Sequence, residues 1–155
     1  MSVSIRVATE ADLDGLTASQ AGLFAEDAGT RDPLRNPDWP RQHGAVNTKA
    51  NIANPDRLVL AAEADGAVVG HLLGGYFPAS DMWIAPRAEL ISMFVHPSWR
   101  GHAVGSGLVD AFKAWARERG AVQLRVAAYA ANDGAIRFYR RHGFAPLDIT
   151  FVSEP

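Results

Sequence analysis

The clearest structural pattern in this chain is Val95-His96-Pro97-Ser98-Trp99-Arg100-Gly101-His102-Ala103-Val104-Gly105-Ser106-Gly107-Leu108. It predicts a buried strand that ends at Pro97, then a glycine-rich loop, then an amphipathic helix. Glycines and a small alanine where a helix begins let the backbone approach a ligand closely, and the N–H groups of the first turn stay free to bind an anion. The stretch therefore predicts a phosphate-binding site.

The segments on either side predict a mixed sheet flanked by helices. Apolar and β-branched runs predict strands at Ile5 to Ala8, Leu58 to Ala64, Ala67 to Leu73, Glu89 to Val95, Val122 to Tyr129 and Ala145 to Val152. Asp65-Gly66, between the second run and the third, predicts a hairpin. Helical spacing and capping residues predict four helices. The first follows a capping box at Thr9 to Asp12, and a short second one lies within Arg41 to Ala53. The third begins at Val104 and ends at Gly120, and the fourth is capped by Asn132 or Asp133 and runs to His142.

Composition narrows the class of protein. The chain has 155 residues, 48% hydrophobic and 21% charged, which is typical of one globular domain spanning residues 1–155. The formal net charge is −2 and no lysine and arginine run occurs, so we expect no nucleic-acid partner and no anionic membrane partner. Charged residues interrupt every apolar stretch, and the first residues lack the pattern of a signal peptide. Cysteine is absent, which fits a reducing compartment, so we expect a cytoplasmic protein.

The loop is compatible with more than one phosphate ligand. A nucleoside triphosphate loop needs Gly-Lys-Ser/Thr at its end, and Gly105-Ser106-Gly107 offers no lysine. A dinucleotide site needs a parallel strand–helix–strand unit with an acidic residue at the end of the next strand, and Gln123 to Tyr129 carries none. The third class of ligand is coenzyme A, whose pyrophosphate needs the same backbone cradle.

Two motifs make that interpretation specific. Arg100-Gly101-His102-Ala103-Val104-Gly105 resembles the Arg/Gln-x-x-Gly/Ala-x-Gly/Ala signature of the GNAT family of N-acetyltransferases. The stretch from Asn132 to Phe144 resembles that family's second signature, Asn-x-x-Ala-x-x-Phe-Tyr-x-x-x-Gly-Phe, at every defined position. The one departure is Ala103, where a glycine is often found. The resemblance covers the chain from Ile5 onward and is weakest between Gly29 and Pro55.

The resemblance implies an α+β domain, with a largely antiparallel sheet flanked by helices, that uses acetyl-CoA. It also implies a set of cofactor-binding residues, in which a strand edge pairs with the pantetheine arm, loop N–H groups hold the pyrophosphate, and residues of the second signature contact the arm. These candidates are Met93, Phe94, Val95, Arg100, Gly101, His102, Ala103, Val104, Gly105, Ser106, Asn132 and Tyr139.

The catalytic candidates are Tyr139, Glu89 and Phe94. In the family the tyrosine protonates the leaving thiolate, and a phenol with an ordinary pKa near 10 is protonated at neutral pH; spacing alone would equally suit a core aromatic residue. Glu89 is the candidate general base, directly or through a water, although it could also be a solvated charge at the end of a strand. The backbone N–H of Phe94 is the expected donor to the oxyanion.

The acceptor is the open part of the prediction. Without cysteine, direct attack by a primary amine within a ternary complex is the expected mechanism, and the histidines show no metal-ligand spacing, so we expect no metal. Specificity is expected in the loops Gly29 to Asn54 and Pro78 to Arg87, with His71 also lining the acceptor side. Acidic residues and tryptophans there would suit a small amine. The alternatives are a protein N-terminus or lysine as acceptor, or a non-catalytic acyl-CoA-binding module. A homodimer is possible by analogy with the family.

Overall fold

The computed structural model describes residues 2–155 and consists of helices on both faces of a 5-stranded sheet. The strands are β1 (Ser4–Val7), β2 (Arg57–Ala64), β3 (Ala67–Phe77), β4 (Arg87–Val95) and β5 (Gln123–Val126). The helices are α1 (Leu13–Thr30), α2 (Ala45–Ala53), α3 (Val104–Glu118) and α4 (Asp133–Arg141). The predicted α+β class, with a mixed and mostly antiparallel sheet, is confirmed.

The strands lie in the order in which they occur in the sequence. β1 to β4 pair antiparallel, and β5 pairs parallel to β4 after a crossover through α3. The predicted hairpin joins β2 to β3, and both of its turn residues have positive φ, 51° at Asp65 and 78° at Gly66. Opposite Leu73 and Gly74 the register of β4 shifts by one residue, so Ile91 has no partner on β3.

Each face of the sheet has its own core. On one face, Leu72 and Leu90 pack against Phe112 and Leu108 of α3. On the other face, Val59 and Ala61 pack against Leu16 of α1. Neighbouring residues of a strand point to opposite faces, and across the register shift at Ile91 β4 directs Leu90 toward α3 and Phe94 toward Gly22 of α1.

The predicted capping box opens α1. The N–H of Thr9 donates to Asp12 Oδ2 over 2.8 Å, and Arg6 donates to the same carboxylate over 2.8 Å. Hydrogen bonding from Arg6 is the largest influence that lowers the pKa of Asp12 to about 2. This ion pair fastens β1 to the start of α1.

The predicted last strand is wrong. Within residues 2–155 no strand follows α4, and the segment after Phe144 makes no backbone ladder. Its apolar residues are exposed, Ile149 at 74% and Phe151 at 87%. An alternating pattern shows only that the residues are suited to a strand. A strand also needs a neighbouring strand to pair with, and residues 2–155 provide none for this segment. The strand predicted at Val122 to Tyr129 is likewise shorter and ends at Val126.

No helix in the described part of the chain is both long enough and apolar enough to span a membrane.

Candidate active site

The candidate site lies where β4 and β5 separate. Their parallel pairing runs from Arg87 to Leu90 on β4 and stops there, because its last pair joins Leu90 to Val126. β4 continues to Val95 with β3 on one side only. The edge of β4 that faces away from β3 is therefore open from Ile91 onward, and it leads directly into the glycine-rich loop.

The hydrogen-bond pattern of β4 decides which backbone groups this open edge presents. The N–H of His96 donates to Val69 O over 2.8 Å, so the pair that follows, Gly70 with Val95, is not hydrogen-bonded, and the next, His71 with Phe94, is. The N–H of Phe94 is consequently directed at β3 and occupied there. The groups directed to the open edge are those of Met93 and Val95. This geometry argues against the predicted role of Phe94 as oxyanion donor, because its N–H is not available to a ligand.

The glycine-rich loop forms a cradle of free backbone donors. Among residues 2–155, none of the N–H groups from Gly101 to Ser106 donates to another protein group; the next, Gly107 N–H, donates to Ala103 O over 3.0 Å. Gly101 has φ of 79°, and Ala103, the N-cap of α3, has φ of 61°. These left-handed residues turn the chain so that successive N–H groups and the helix start meet at one place, which is an anion-binding arrangement.

The remaining glycines of the stretch serve packing. A Cβ on Gly105 would lie 3.3 Å from the Phe138 ring of α4, and one on Gly107 would lie 3.2 Å from Ile5 of β1. Their lack of a side chain lets α4 and β1 approach the first turn of α3. From the sequence, every glycine of the stretch was expected to allow close approach of a ligand. In the structure Gly101 shapes the cradle, whereas Gly105 and Gly107 allow close packing of neighbouring elements.

Arg100 fastens the loop to its surroundings. Its Nε donates to Val95 O over 2.9 Å, its Nη2 donates to Glu26 Oε1 over 2.6 Å, and its guanidinium lies 5.2 Å from the Phe94 ring. Its backbone N–H donates to Pro97 O over 3.3 Å. These contacts anchor Arg100 to β4 and α1, and among residues 2–155 they leave Nη1 of its half-exposed side chain free for a further contact.

The second signature supplies α4 and its tyrosine. Asn132 Oδ1 accepts the N–H of Ala135 over 3.1 Å, so the predicted helix cap is confirmed. Tyr139 packs edge-on against Phe138 and Phe144, and burial raises its pKa to about 12. A phenol in this environment is fully protonated at neutral pH and is suited to donate a proton. His142 ties α4 to the loop, with its Nε2 3.0 Å from Ser106 Oγ.

Glu89 lies on β4, in the part of the strand that is still paired with β5. It pairs in register with Gly75 of β3 and Arg125 of β5, and its side chain is half-buried. In the described part of the chain it forms neither an ion pair nor a side-chain hydrogen bond. A carboxylate with free lone pairs on the sheet face is available to accept a proton.

The sequence did not identify the serine partners of His71. This histidine is fully buried between α1 and the sheet, with Nδ1 2.6 Å from Ser19 Oγ and Nε2 2.9 Å from Ser92 Oγ. Burial lowers its pKa to about 4, so it is neutral at physiological pH. Ser19 and Ser92 carry no motif, and only the fold brings them to opposite sides of one imidazole ring.

The tryptophans of the two loops, and Asp27 just before the first loop, are engaged locally. Trp39 stacks on Phe24 of α1 with ring centroids 5.6 Å apart, and Asp27 pairs with Arg31. Trp83 contacts two arginines, Arg87 and Arg125. These contacts leave little support for the tryptophans as a cage for a cationic amine.

Within residues 2–155 no group of three or more His, Cys, Asp or Glu side chains is arranged to hold a metal ion.

Known proteins resemble this chain in sequence. The family model described as "Acetyltransferase (GNAT) family" matches residues 26–144. An acetyltransferase from Yersinia enterocolitica is 29% identical over 109 residues, which cover 70% of this chain and 72% of that protein.

Solved structures share the fold. The PaiA N-acetyltransferase from Thermoplasma acidophilum, in complex with coenzyme A, is 22% identical, with a TM-score of 0.82 over 97% of this chain and 94% of its own. A mutant of the BH1408 protein from Bacillus halodurans is 15% identical, with a TM-score of 0.88 over 98% of this chain and 99% of its own.

Proposed function

This chain belongs to the GNAT acetyltransferase family, and we propose that it transfers an acetyl group from acetyl-CoA to a primary amine of a small molecule by direct attack in a ternary complex. An acetyl-CoA-dependent acetyltransferase activity follows from the family. The acceptor class and the roles of individual residues are the proposal. The observation that carries it is the combination of free N–H groups after β4 with an open strand edge before them.

The residues present fit coenzyme A. The N–H groups from Gly101 to Ser106, at the positive end of α3, would hold the pyrophosphate, because a row of unpaired backbone donors at a helix start is complementary to it. On the open edge, Val95 O already accepts from Arg100 Nε, so the backbone groups of Met93 and the N–H of Val95 would pair with the amide groups of the pantetheine arm, as an added strand does. Asn132, whose Oδ1 is used in capping, keeps its amide N–H group for the arm.

Bound acetyl-CoA supplies an activated acyl group, and this chain's residues act on the charges that develop during transfer. We assign stabilisation of the carbonyl oxygen to the N–H of Met93, which is directed to the open edge near the end of β4–β5 pairing. Tyr139 holds the proton that the departing thiolate requires. Because burial raises the pKa of Tyr139 to about 12, the proton is present at every physiological pH.

Glu89 is the proposed group that removes a proton from the acceptor amine, directly or through a water. It lies on β4, the strand that carries the oxyanion donor, and it has no cationic partner among residues 2–155 to hold it in a structural ion pair. A free carboxylate on the acceptor side can accept a proton from an ammonium ion as it enters the site.

The experiment that tests the proposal is a panel of amines with acetyl-CoA, in which release of the CoA thiol and formation of the acetylated product are both measured. The panel includes small-molecule amines and peptides with a free N-terminus or a lysine. Turnover with a small amine is expected. Turnover with peptides alone would move the acceptor to protein, and tight acetyl-CoA binding without turnover on any member would indicate a binding module.

A further inference from the structure

Arginines and aromatic rings form a continuous series of contacts at the start of β4. Trp83 contacts Arg125 and Arg87, whose Cζ atoms lie 4.7 Å and 4.0 Å from its ring centroid. Phe77 contacts Arg87 and Arg57, with Cζ atoms at 5.3 Å and 5.2 Å. We call Arg57, Phe77, Trp83, Arg87 and Arg125 the arginine–aromatic cluster. Stacking orders each guanidinium while leaving its edge able to donate hydrogen bonds.

The cluster shares a sheet face with Glu89. Phe77 pairs with Arg87, and Gly75 pairs with both Arg57 and Glu89, while Glu89 also pairs with Arg125. Partners in a ladder project to the same face, and so do residues two apart on a strand. Gly74 faces Phe112 of α3, so this face is the opposite one, toward α1. Ile91, in the same region, is 43% exposed, which shows that the helices leave this part of the face uncovered.

The arginines of the cluster are not neutralised by ion pairs in the described part of the chain, although Glu89 lies on the same face. Among residues 2–155, neither Arg57, Arg87 nor Arg125 forms an ion pair with a carboxylate. Arg87 is the extreme case, because its Nη1 is buried without any hydrogen-bond partner. Arg119 is the contrast: it also stacks on a ring, that of Tyr76, but donates to Asp56 and to Pro55 O. Arg57 donates to Asp56 O over 3.1 Å and Arg125 donates to Gln123 Oε1 over 2.8 Å, but both acceptors are uncharged. Half-buried cations without a charged partner are unfavourable unless something else supplies the negative charge.

We propose that the arginine–aromatic cluster binds an oxyanion on the acceptor, so that the substrate is an amine that also carries a carboxylate or a phosphate group. This inference deepens the proposed function and rests on it for the position of the amine. Glu89 and Arg87 are two positions apart on β4, about 7 Å at the rise of a strand, so one small molecule spans both groups. The ammonium end meets Glu89, and the anionic end meets the guanidinium groups.

The same charges select against other amines. A polyamine would bring further cations to a face that already carries unpaired arginines, and like charges in a partly desolvated site repel. An alkyl amine without an anionic group would leave the guanidinium groups without a charged partner. The cluster thus predicts a preference within amines, which a matched set of compounds can measure.

The test compares amines that differ in the anionic group: L-phenylalanine with 2-phenylethylamine, and O-phosphoethanolamine with ethanolamine, with spermidine as the polycation. For at least one pair, we expect kcat/KM to be at least about tenfold higher for the anionic member, as one charge-assisted hydrogen bond would provide. The pair that responds distinguishes a carboxylate from a phosphate as the source of the oxyanion. The Arg87→Gln and Arg125→Gln variants should each lose the preference.

The matched control is Arg119→Gln, which removes a stacked arginine that already has protein partners and should retain the preference. Arg125→Gln keeps the test decisive if Arg87→Gln does not fold. Equal rates within both pairs, a preference for spermidine, or a preference that survives both variants would each overturn the proposal.

A binding measurement separates this inference from the proposed function. Calorimetric titration of the same compounds into the protein with CoA needs no turnover. Binding of an anionic amine that depends on Arg87 and Arg125, without acetyl transfer to any amine, would support the cluster and reject the proposed function. If no anionic amine binds but amines without an anionic group are acetylated, the proposed function would be supported and the role of the cluster rejected. Absence of both anionic binding and any turnover would reject the two together.

Discussion

The end of β4 that leads into the loop after Val95 presents backbone N–H groups, whereas the end that begins at Arg87 presents stacked side chains. At the first end, the arrangement depends on residues such as Gly101 and Ala103, whose left-handed conformations turn the chain. At the second end, the residues that matter are arginines and aromatic rings whose positions depend on three neighbouring strands. In the proposed function, one strand thus carries a cofactor end and an acceptor end of different construction.

The difference explains why one end has a motif and the other has none. Backbone donors of a loop and a helix start come from consecutive residues, so the requirement is local and leaves a readable pattern. Side chains that meet across β3, β4 and β5 are scattered along the sequence from Arg57 to Arg125. The proposed cofactor end can therefore be read from a motif, whereas the proposed acceptor end becomes visible only in the folded chain.

The largest effect is expected from Tyr139→Phe, which removes the proposed acid from the cofactor end. The phenol donates its proton only as the thiolate departs, so kcat should fall by about 10²-fold or more, while the Kd for acetyl-CoA should change by less than about twofold. Steady-state kinetics and calorimetric titration measure the two quantities. Tyr76→Phe, at the far end of β3, is the control. Unchanged turnover of Tyr139→Phe would reject the assignment.

A second effect concerns His71, which lies between the two ends. Its pKa is about 4 in the folded protein and near 6.5 when unfolded, so the unfolded state binds more protons between these values. The free energy of unfolding therefore falls as the pH drops from about 6.5 to about 4, by on the order of 3 kcal/mol from this residue.

Urea denaturation at several pH values checks this dependence. His71→Asn should be less stable at neutral pH, because it loses hydrogen bonds to Ser19 and Ser92, but its stability should vary less across this pH range. The exposed His96, changed to Asn, should leave the dependence as in the native chain. A His71→Asn curve parallel to the native one would contradict the burial argument.

A third prediction concerns a variant that disrupts the cradle of N–H groups and leaves the acceptor end unchanged. In Gly101→Val, a β-branched residue must adopt a φ of 79°, at a cost of about 1–2 kcal/mol, and its N–H leaves the cradle if the backbone relaxes. The Kd for acetyl-CoA should rise about tenfold. Gly120→Val is the matched control, since Gly120 also has φ of 79° and open space around it, but lies at the other end of α3.

Both variants should lose similar stability in thermal unfolding, and only Gly101→Val should lose affinity. Equal affinities would mean that the loop N–H groups do not hold the cofactor.

The smallest effect is expected at Ala103, the departure from the family pattern. Its φ of 61° is strained for alanine, and glycine would relieve that strain while increasing the entropy of the unfolded chain. The net change in Ala103→Gly should be a stabilisation of about 0.5–1 kcal/mol with acetyl-CoA affinity within about twofold. A loss of stability in thermal unfolding would show that the loop is relaxed with alanine.

Sequence reasoning succeeded where the requirement was local. The hairpin at Asp65-Gly66, the cap at Asn132 and the capping box at Thr9 each depend on residues within a few positions, and the structure confirms each of them. The strand expected at Ala145 to Val152 was wrong, because alternation describes a residue preference and not the presence of a partner.

Spacing along the chain was enough to identify the family, most of the strands and helices in their order, and the loop that would hold the pyrophosphate. Three contacts became visible only in the folded molecule: the N–H of Phe94 is occupied by β3, His71 is buried between Ser19 and Ser92, and unpaired arginines share a face with Glu89. Strand register and helix packing determine those contacts. Because both bring together residues that are far apart in the sequence, no local sequence pattern predicts them.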